Sequence, residues 1–255
     1  MSSLRSIIRS VKPRPFAPNV SRLIGPNHDG KVLKPFVYLD YFRGIMPKEP
    51  ISFDYHPHSG LATLSYQKTF PMSYTDTEGK EGGTEGTLST GFQLWISLPP
   101  GVEDGESMSQ FIEPADVPVV ENVKVLLGKY KGGKSAIVDG YAQCMTCLDV
   151  TVEKGTTFKY VFEEGQSTAW ALPYEGKECK INGETVVFDH LVIFDKVGES
   201  ITQTDLYTGM YSVHTNKESL DKGQKRILEI GERLLAEGKI HEQVNLFGPV
   251  KRKST

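Results

Sequence analysis

Glycine and proline cut this chain into short pieces, and that punctuation limits the folds open to it. The 25 glycines and 15 prolines are spread throughout, and the runs between them are rich in Val, Ile, Thr, Tyr and Phe. β-branched and aromatic side chains suit a pleated, half-buried surface, while closely spaced breakers favour turns over long helices. The pattern predicts an all-β chain, a sandwich or barrel rather than alternating strands and helices. Expected strands in the first half are Ile7–Val11, Val20–Ile24, Phe36–Phe42, Leu61–Tyr66 and Gly91–Leu98, with Lys12–Pro18 as a turn-rich link. An acidic, proline-containing stretch, Val102–Val119, reads as an irregular bridge. Beyond it the expected strands are Val123–Leu127, Met145–Val152, Thr157–Phe162, Ser167–Pro173, Cys179–Ile181 and Thr185–Phe194. Asn182-Gly183 between two of these is a strong hairpin signal.

One helix is expected. Thr215 and Glu218 have the spacing of a capping box, with Thr215 as N-cap. Leu220, Ile227, Ile230 and Leu234 then recur at helical intervals, and Gly238 supplies a stop. The chain therefore divides into a first β domain over residues 1–118, a second with the terminal helix over 119–240, and a tail over 241–255.

Composition removes several functional classes. Of 255 residues, 38% are apolar and 24% charged, as in soluble globular proteins. A formal net charge of −3 gives no reason to expect nucleic acid or an anionic membrane as partner. The basic run Lys251-Arg252-Lys253 is too small to change that expectation. No apolar run approaches the length of a membrane span. The first residues lack the apolar core of a secretory signal, although Arg5, Arg9 and the neighbouring serines leave an amphipathic targeting reading open. Three cysteines, Cys144, Cys147 and Cys179, make no disulfide framework and fit a reducing compartment. Cys144 and Cys147 match C-x-x-C, but on an extended run positions i and i+3 face opposite ways. They read as small core residues rather than as a redox or zinc pair.

The chemically suggestive feature is His56-Pro57-His58, directly ahead of the Leu61–Tyr66 strand. On extended backbone, side chains at i and i+2 share a face, so the two imidazoles would point together. Pro57 belongs at a strand's start or edge and pushes His56 towards an extended conformation. Paired imidazoles are a natural beginning for a transition-metal site, but such a site wants about four to six ligands. The other notable residues have plainer readings. His28 sits in a breaker-rich loop, His190 in a strand has no neighbouring ligand type, and His214 precedes the helix cap. Trp95 and Trp170 read as core aromatics.

Together, Phe36–Asp40, His56-Pro57-His58-Ser59-Gly60, Gly91–Pro100 and Tyr211-Ser212-Val213-His214-Thr215 resemble the pirin family of the cupin superfamily. The resemblance implies two tandem cupin barrels, the first carrying iron and the second usually none. It implies His56 and His58 as the first two metal ligands, with a later histidine and often a glutamate completing the set. Some relatives are similar to quercetin 2,3-dioxygenases, which cleave a flavonol with dioxygen; others act as nuclear regulators that bind protein partners. Two departures stand out against that pattern. Between the Asp76–Gly79 turn and the Gly91 strand, where the family places the later histidine, this chain has only Lys80–Thr90, without one. The stretch from Ile201–Asp205 to Tyr207 is also short. Glu81 and Glu85 are the carboxylates at hand to stand in. Two functions follow as expectations: a quercetinase-like metal-dependent dioxygenase, or a non-enzymatic binding module with a degenerate site.

Overall fold

The computed structural model describes residues 4–17, 19–26, 29–45, 55–68, 73–75, 81–83, 88–137, 144–198 and 205–241. His28, the Asp76–Gly79 turn and the basic run near the C-terminus lie outside them. The first half holds β1 (Ile7–Val11), β2 (Arg14–Ala17), β3 (Val20–Ile24), a single helical turn α1 (Asp29–Val32) and β4 (Phe36–Ile45). It continues with β5 (Leu61–Gln67), β6 (Ser73–Thr75), β7 (Glu81–Gly83) and β8 (Leu88–Ser97). After the bridge come β9 (Val119–Val120), β10 (Val123–Leu127), β11 (Lys129–Tyr130), β12 (Gly133–Lys134) and β13 (Cys147–Val150). The chain then forms β14 (Trp170–Ala171), β15 (Cys179–Ile181), β16 (Glu184–Val186), β17 (Leu191–Phe194), β18 (Tyr207–Gly209), β19 (Ser212–His214) and α2 (Lys217–Ala236). The all-β expectation with one long C-terminal helix holds.

The organising layer is a five-stranded antiparallel sheet in the order β2-β3-β4-β8-β5. Its register pairs Leu39 with Leu94 and Leu94 with Leu64, then Tyr38 with Trp95 and Trp95 with Thr63. Because side chains alternate along a strand, that register gives the sheet two unlike faces. Leu39, Tyr41, Leu94 and Ile96 join a buried cluster with Leu127, Leu191 and Ile193 from the second half. The other face carries Tyr38, Asp40, Gln93 and Trp95, with Thr63 and Ser65 exposed. The apolar face thus packs against the second lobe and the polar face is left for chemistry.

The termini cross between the lobes. Strand β1 pairs with β17 in a three-stranded sheet, β1-β17-β14, of the second lobe. At the other end, β19 reaches back to the first lobe through a parallel bridge between Ser212 and Ser59. A buried carboxylate also joins the lobes: Asp149 accepts hydrogen bonds from Tyr66 (2.7 Å) and Tyr174 (2.5 Å).

Local expectations need four corrections. Lys12–Pro18 contains a strand, β2, because Arg14 and Pro15 find partners in Arg22 and Ser21 across the edge. Thr157–Phe162 forms no strand: its backbone finds no ladder partner, and Phe158 and Tyr160 pack on the core cluster of Val123, Val125 and Tyr130. The helix cap lies one residue later than expected. Asn216 is the N-cap, its Oδ1 accepting from Ser219 N at 2.8 Å, while the Thr215 hydroxyl is directed to Glu103 instead of to the helix and its N–H is bonded there too. Trp95 is half-buried and lies against His58, so it belongs to the polar face rather than to the core. The Asn182-Gly183 hairpin is as expected, with φ of 53° and 86°, the left-handed pair a tight two-residue turn needs.

Candidate metal centre

His56 and His58 stand at the entrance to β5, and the extended backbone through Pro57 brings their rings together. The ring centroids are 5.1 Å apart and nearly perpendicular. His58 is the inner of the two. Its ring lies 4.7 Å from that of Trp95 on β8, and Trp95 in turn is 4.5 Å from Tyr38 on β4. Arg22 on β3 extends the row, its guanidinium 4.7 Å from the Tyr38 ring, and is held by both oxygens of Asp40 at 2.8 Å. The sheet therefore lines up imidazole, indole, phenol and guanidinium from the mouth of β5 across β8 and β4 to β3. The indole N–H is occupied by Gln93 Oε1 at 3.3 Å, which fixes the orientation of Trp95.

Two properties make His58 unusual. Its Nε2 is buried with no hydrogen-bond partner among the described residues, a costly condition for a polar atom. Its pKa is pushed down to about 4, first by burial and second by the neighbouring His56. Near pH 7 the ring is therefore neutral, the form that binds metal. A buried, neutral, unsatisfied imidazole nitrogen beside a second imidazole fits a late first-row metal ion in donor type.

The donor count does not yet reach a complete site. Among the described residues no group of three or more His, Cys, Asp or Glu is placed to hold a metal. Of the two carboxylates expected to substitute, Glu85 lies outside the described residues and Glu81 is placed only through the backbone of β7.

The other histidines separate cleanly from this pair. His190 has its Nδ1 3.1 Å from Phe188 O, a local structural role as expected. His214 is buried and sits between Ser59 and Glu103: its Nε2 is 3.0 Å from Ser59 Oγ, and its Nδ1 is 3.3 Å from Glu103 Oε2, outside hydrogen-bond geometry. Sequence reasoning missed this assembly. Glu103 lies in the stretch read as an irregular bridge, and nothing local distinguishes it from the other acids there. The available signal was Ser59-Gly60 directly after the pair, a polar residue and a breaker at a strand mouth. Cys144 is exposed, against the expectation of a core residue, and Cys147 has its thiol pushed up to about 12, first by burial and then by Asp149, which makes Cys147 a poor thiolate.

No family model matches the chain. A pirin-like protein of Caulobacter vibrioides is 26% identical over 208 residues, covering 68% of this chain and 74% of that protein. The chain is similar in sequence to pirin and pirin-like proteins. A Pseudomonas aeruginosa protein named as a candidate quercetin 2,3-dioxygenase is 30% identical over 130 residues, 40% of this pirin-like chain and 45% of its own length. The crystal structure of a quercetin 2,3-dioxygenase from Acinetobacter baumannii superposes with a TM-score of 0.75 at 17% identity, covering 90% of this chain and 98% of that one. That likeness establishes the fold alone, the all-β bicupin architecture that this chain shares with the quercetinase structure.

Proposed function

We propose that His56 and His58 supply two ligands of a transition-metal site, iron by family resemblance, and that the protein is a quercetinase-like dioxygenase acting on a flavonol-like small molecule in a reducing compartment, cytoplasmic or nuclear. One observation carries the reading: the buried, unpartnered Nε2 of a neutral His58, 5.1 Å in ring separation from His56. Iron held by imidazoles with open positions would take up a chelating substrate and dioxygen. The chain's own contribution is orientation. Trp95 walls one side of His58, Tyr38 backs Trp95, and the exposed Thr63 and Ser65 leave the approach over the sheet open. Flat aromatic rings at this spacing offer stacking surface for an aromatic substrate.

The test is elemental analysis of the purified protein beside a His56→Ala/His58→Ala double variant, followed by flavonol turnover with added iron. Near-stoichiometric metal lost in the variant, with turnover above that of free metal, is expected. Equal metal content in both proteins would sink the reading.

A second reading rests on the donor count. With no third ligand among the described residues, the family's regulatory role fits as well: a protein-binding module with a degenerate site. It predicts the same stoichiometric protein partner for the wild type and the double variant. Partner capture that vanishes with the histidines would count against it.

A further inference from the structure

Ser59 immediately follows the second histidine, and the C-terminal element holds it from several directions. Its N–H donates to Tyr211 O at 3.1 Å and its carbonyl accepts from Val213 N at 3.0 Å. Its hydroxyl lies 3.0 Å from His214 Nε2. Gly60, at φ +73°, leaves no room for a side chain: a Cβ there would lie 2.2 Å from Val213 O and 2.7 Å from His214 Cε1. On α2, a Cβ at Gly223 would lie 2.2 Å from Ser59 Oγ and 2.6 Å from His214 Nε2. Behind the imidazole, Glu103 accepts from Thr215 N at 2.7 Å and from Thr215 Oγ1 at 2.5 Å, and Asp104 accepts from Ser219 Oγ at 3.1 Å. Two carboxylates therefore anchor the start of α2, where the helix dipole favours negative charge.

We infer that Ser59, His214 and Glu103 form a positioning relay through which the C-terminal helix sets the geometry of the His56/His58 pair. The relay has the order hydroxyl, imidazole, carboxylate, but Gly223 covers the hydroxyl, so it acts by holding the backbone and not as a nucleophile. His58 is the inner donor and the residue bonded to Ser59, so movement at Ser59 is transmitted to it directly. The inference rests on the metal reading above and deepens it.

The test titrates cobalt(II) into the full chain and reads both affinity and the visible ligand-field bands, with amide hydrogen exchange over residues 55–61 as a metal-independent arm. The variants are Ser59→Ala, His214→Phe and His214→Gln, beside the His56→Ala/His58→Ala control. Outer supports of metal ligands typically change affinity about 10- to 100-fold. His214→Phe and Ser59→Ala are expected to weaken cobalt binding about 10-fold, to shift the bands and to speed exchange at Ser59. His214→Gln, which keeps a polar group towards Ser59, is expected to restore most of the affinity. Wild-type spectra and affinity in both Ser59→Ala and His214→Phe would overturn the relay while leaving the metal site standing. If the wild type binds no cobalt, the metal reading fails separately, and the exchange arm then decides: faster exchange at Ser59 in the variants supports the relay, and unchanged exchange overturns it.

Discussion

His58 and His214 are both withdrawn from solvent and both have lowered pKa values, yet their surroundings are opposite. Burial is the leading cause in each. Around His58 the next influence is another imidazole, which lowers the pKa further, and its buried Nε2 has no partner among the described residues. Around His214 two carboxylates, Glu103 and Asp104, oppose the shift, and a hydroxyl meets the opposite ring nitrogen. Each ring keeps one buried nitrogen without a hydrogen bond among the described residues, His58 Nε2 and His214 Nδ1, but only His214 has a carboxylate beside that nitrogen and a hydroxyl at the other. A fold that leaves a buried polar atom unsatisfied loses stability there; at His214 two carboxylates offset part of that cost, whereas at His58 the neighbouring group is another imidazole and adds to it. The surroundings of His214 show what a histidine serving the fold looks like in the same molecule.

The comparison breaks most sharply at Glu103. Its removal strands the N–H and hydroxyl of Thr215 in a buried setting and takes the carboxylate from beside His214. Glu103→Ala should cost about 3 kcal/mol in urea unfolding, in keeping with several buried hydrogen bonds to a charged group. His214→Leu should cost less, about 2 kcal/mol, since Ser59 Oγ loses its ring partner but its backbone bonds to Tyr211 and Val213 persist. If either substitution proves neutral, the view of His214 as a structural histidine is wrong.

Much of this contrast was hidden in the sequence for a physical reason. The His56/His58 pair is local, and alternation on extended backbone was enough to place both rings on one side. The β5 and β8 strands were legible from their alternation, as was the apolar face of α2 through Leu220, Ile227 and Leu234. The partners of His214 are long-range: Ser59 is 155 residues away in sequence. No periodicity encodes such a contact. The cap of α2 was misplaced by one residue for the same reason. Thr215 is a good N-cap by local rules, but a distant carboxylate draws its hydroxyl away from the helix and occupies the N–H from which Glu218 would accept, and the local rule cannot see that carboxylate. By residue type alone Trp95 reads as a core aromatic. The register with Tyr38 and Thr63 puts it on the other face.

Acid should sharpen the contrast from the side of His58. Its pKa in the fold is about 4, against 6.5 for an unperturbed histidine. Between those values the unfolded chain binds the proton and the folded chain refuses it. Folding stability of the metal-free protein is therefore fully present above pH 6.5 and declines as the pH falls towards 4, with His58 contributing roughly 1–2 kcal/mol after allowing for residual solvent screening. The smallest effect is the most diagnostic. Replacing His58 with Leu removes an unsatisfied buried nitrogen and keeps apolar bulk against Trp95. At pH 7 the metal-free variant should match the wild type or exceed its stability by up to about 1 kcal/mol. It should also lose less stability on going to pH 4.5, since the group responsible for part of the decline is gone. Urea unfolding at the two pH values measures both quantities. A clear loss of stability for His58→Leu at pH 7 would mean that the ring nitrogen has a structural partner after all, and the distinction between the two histidines would collapse.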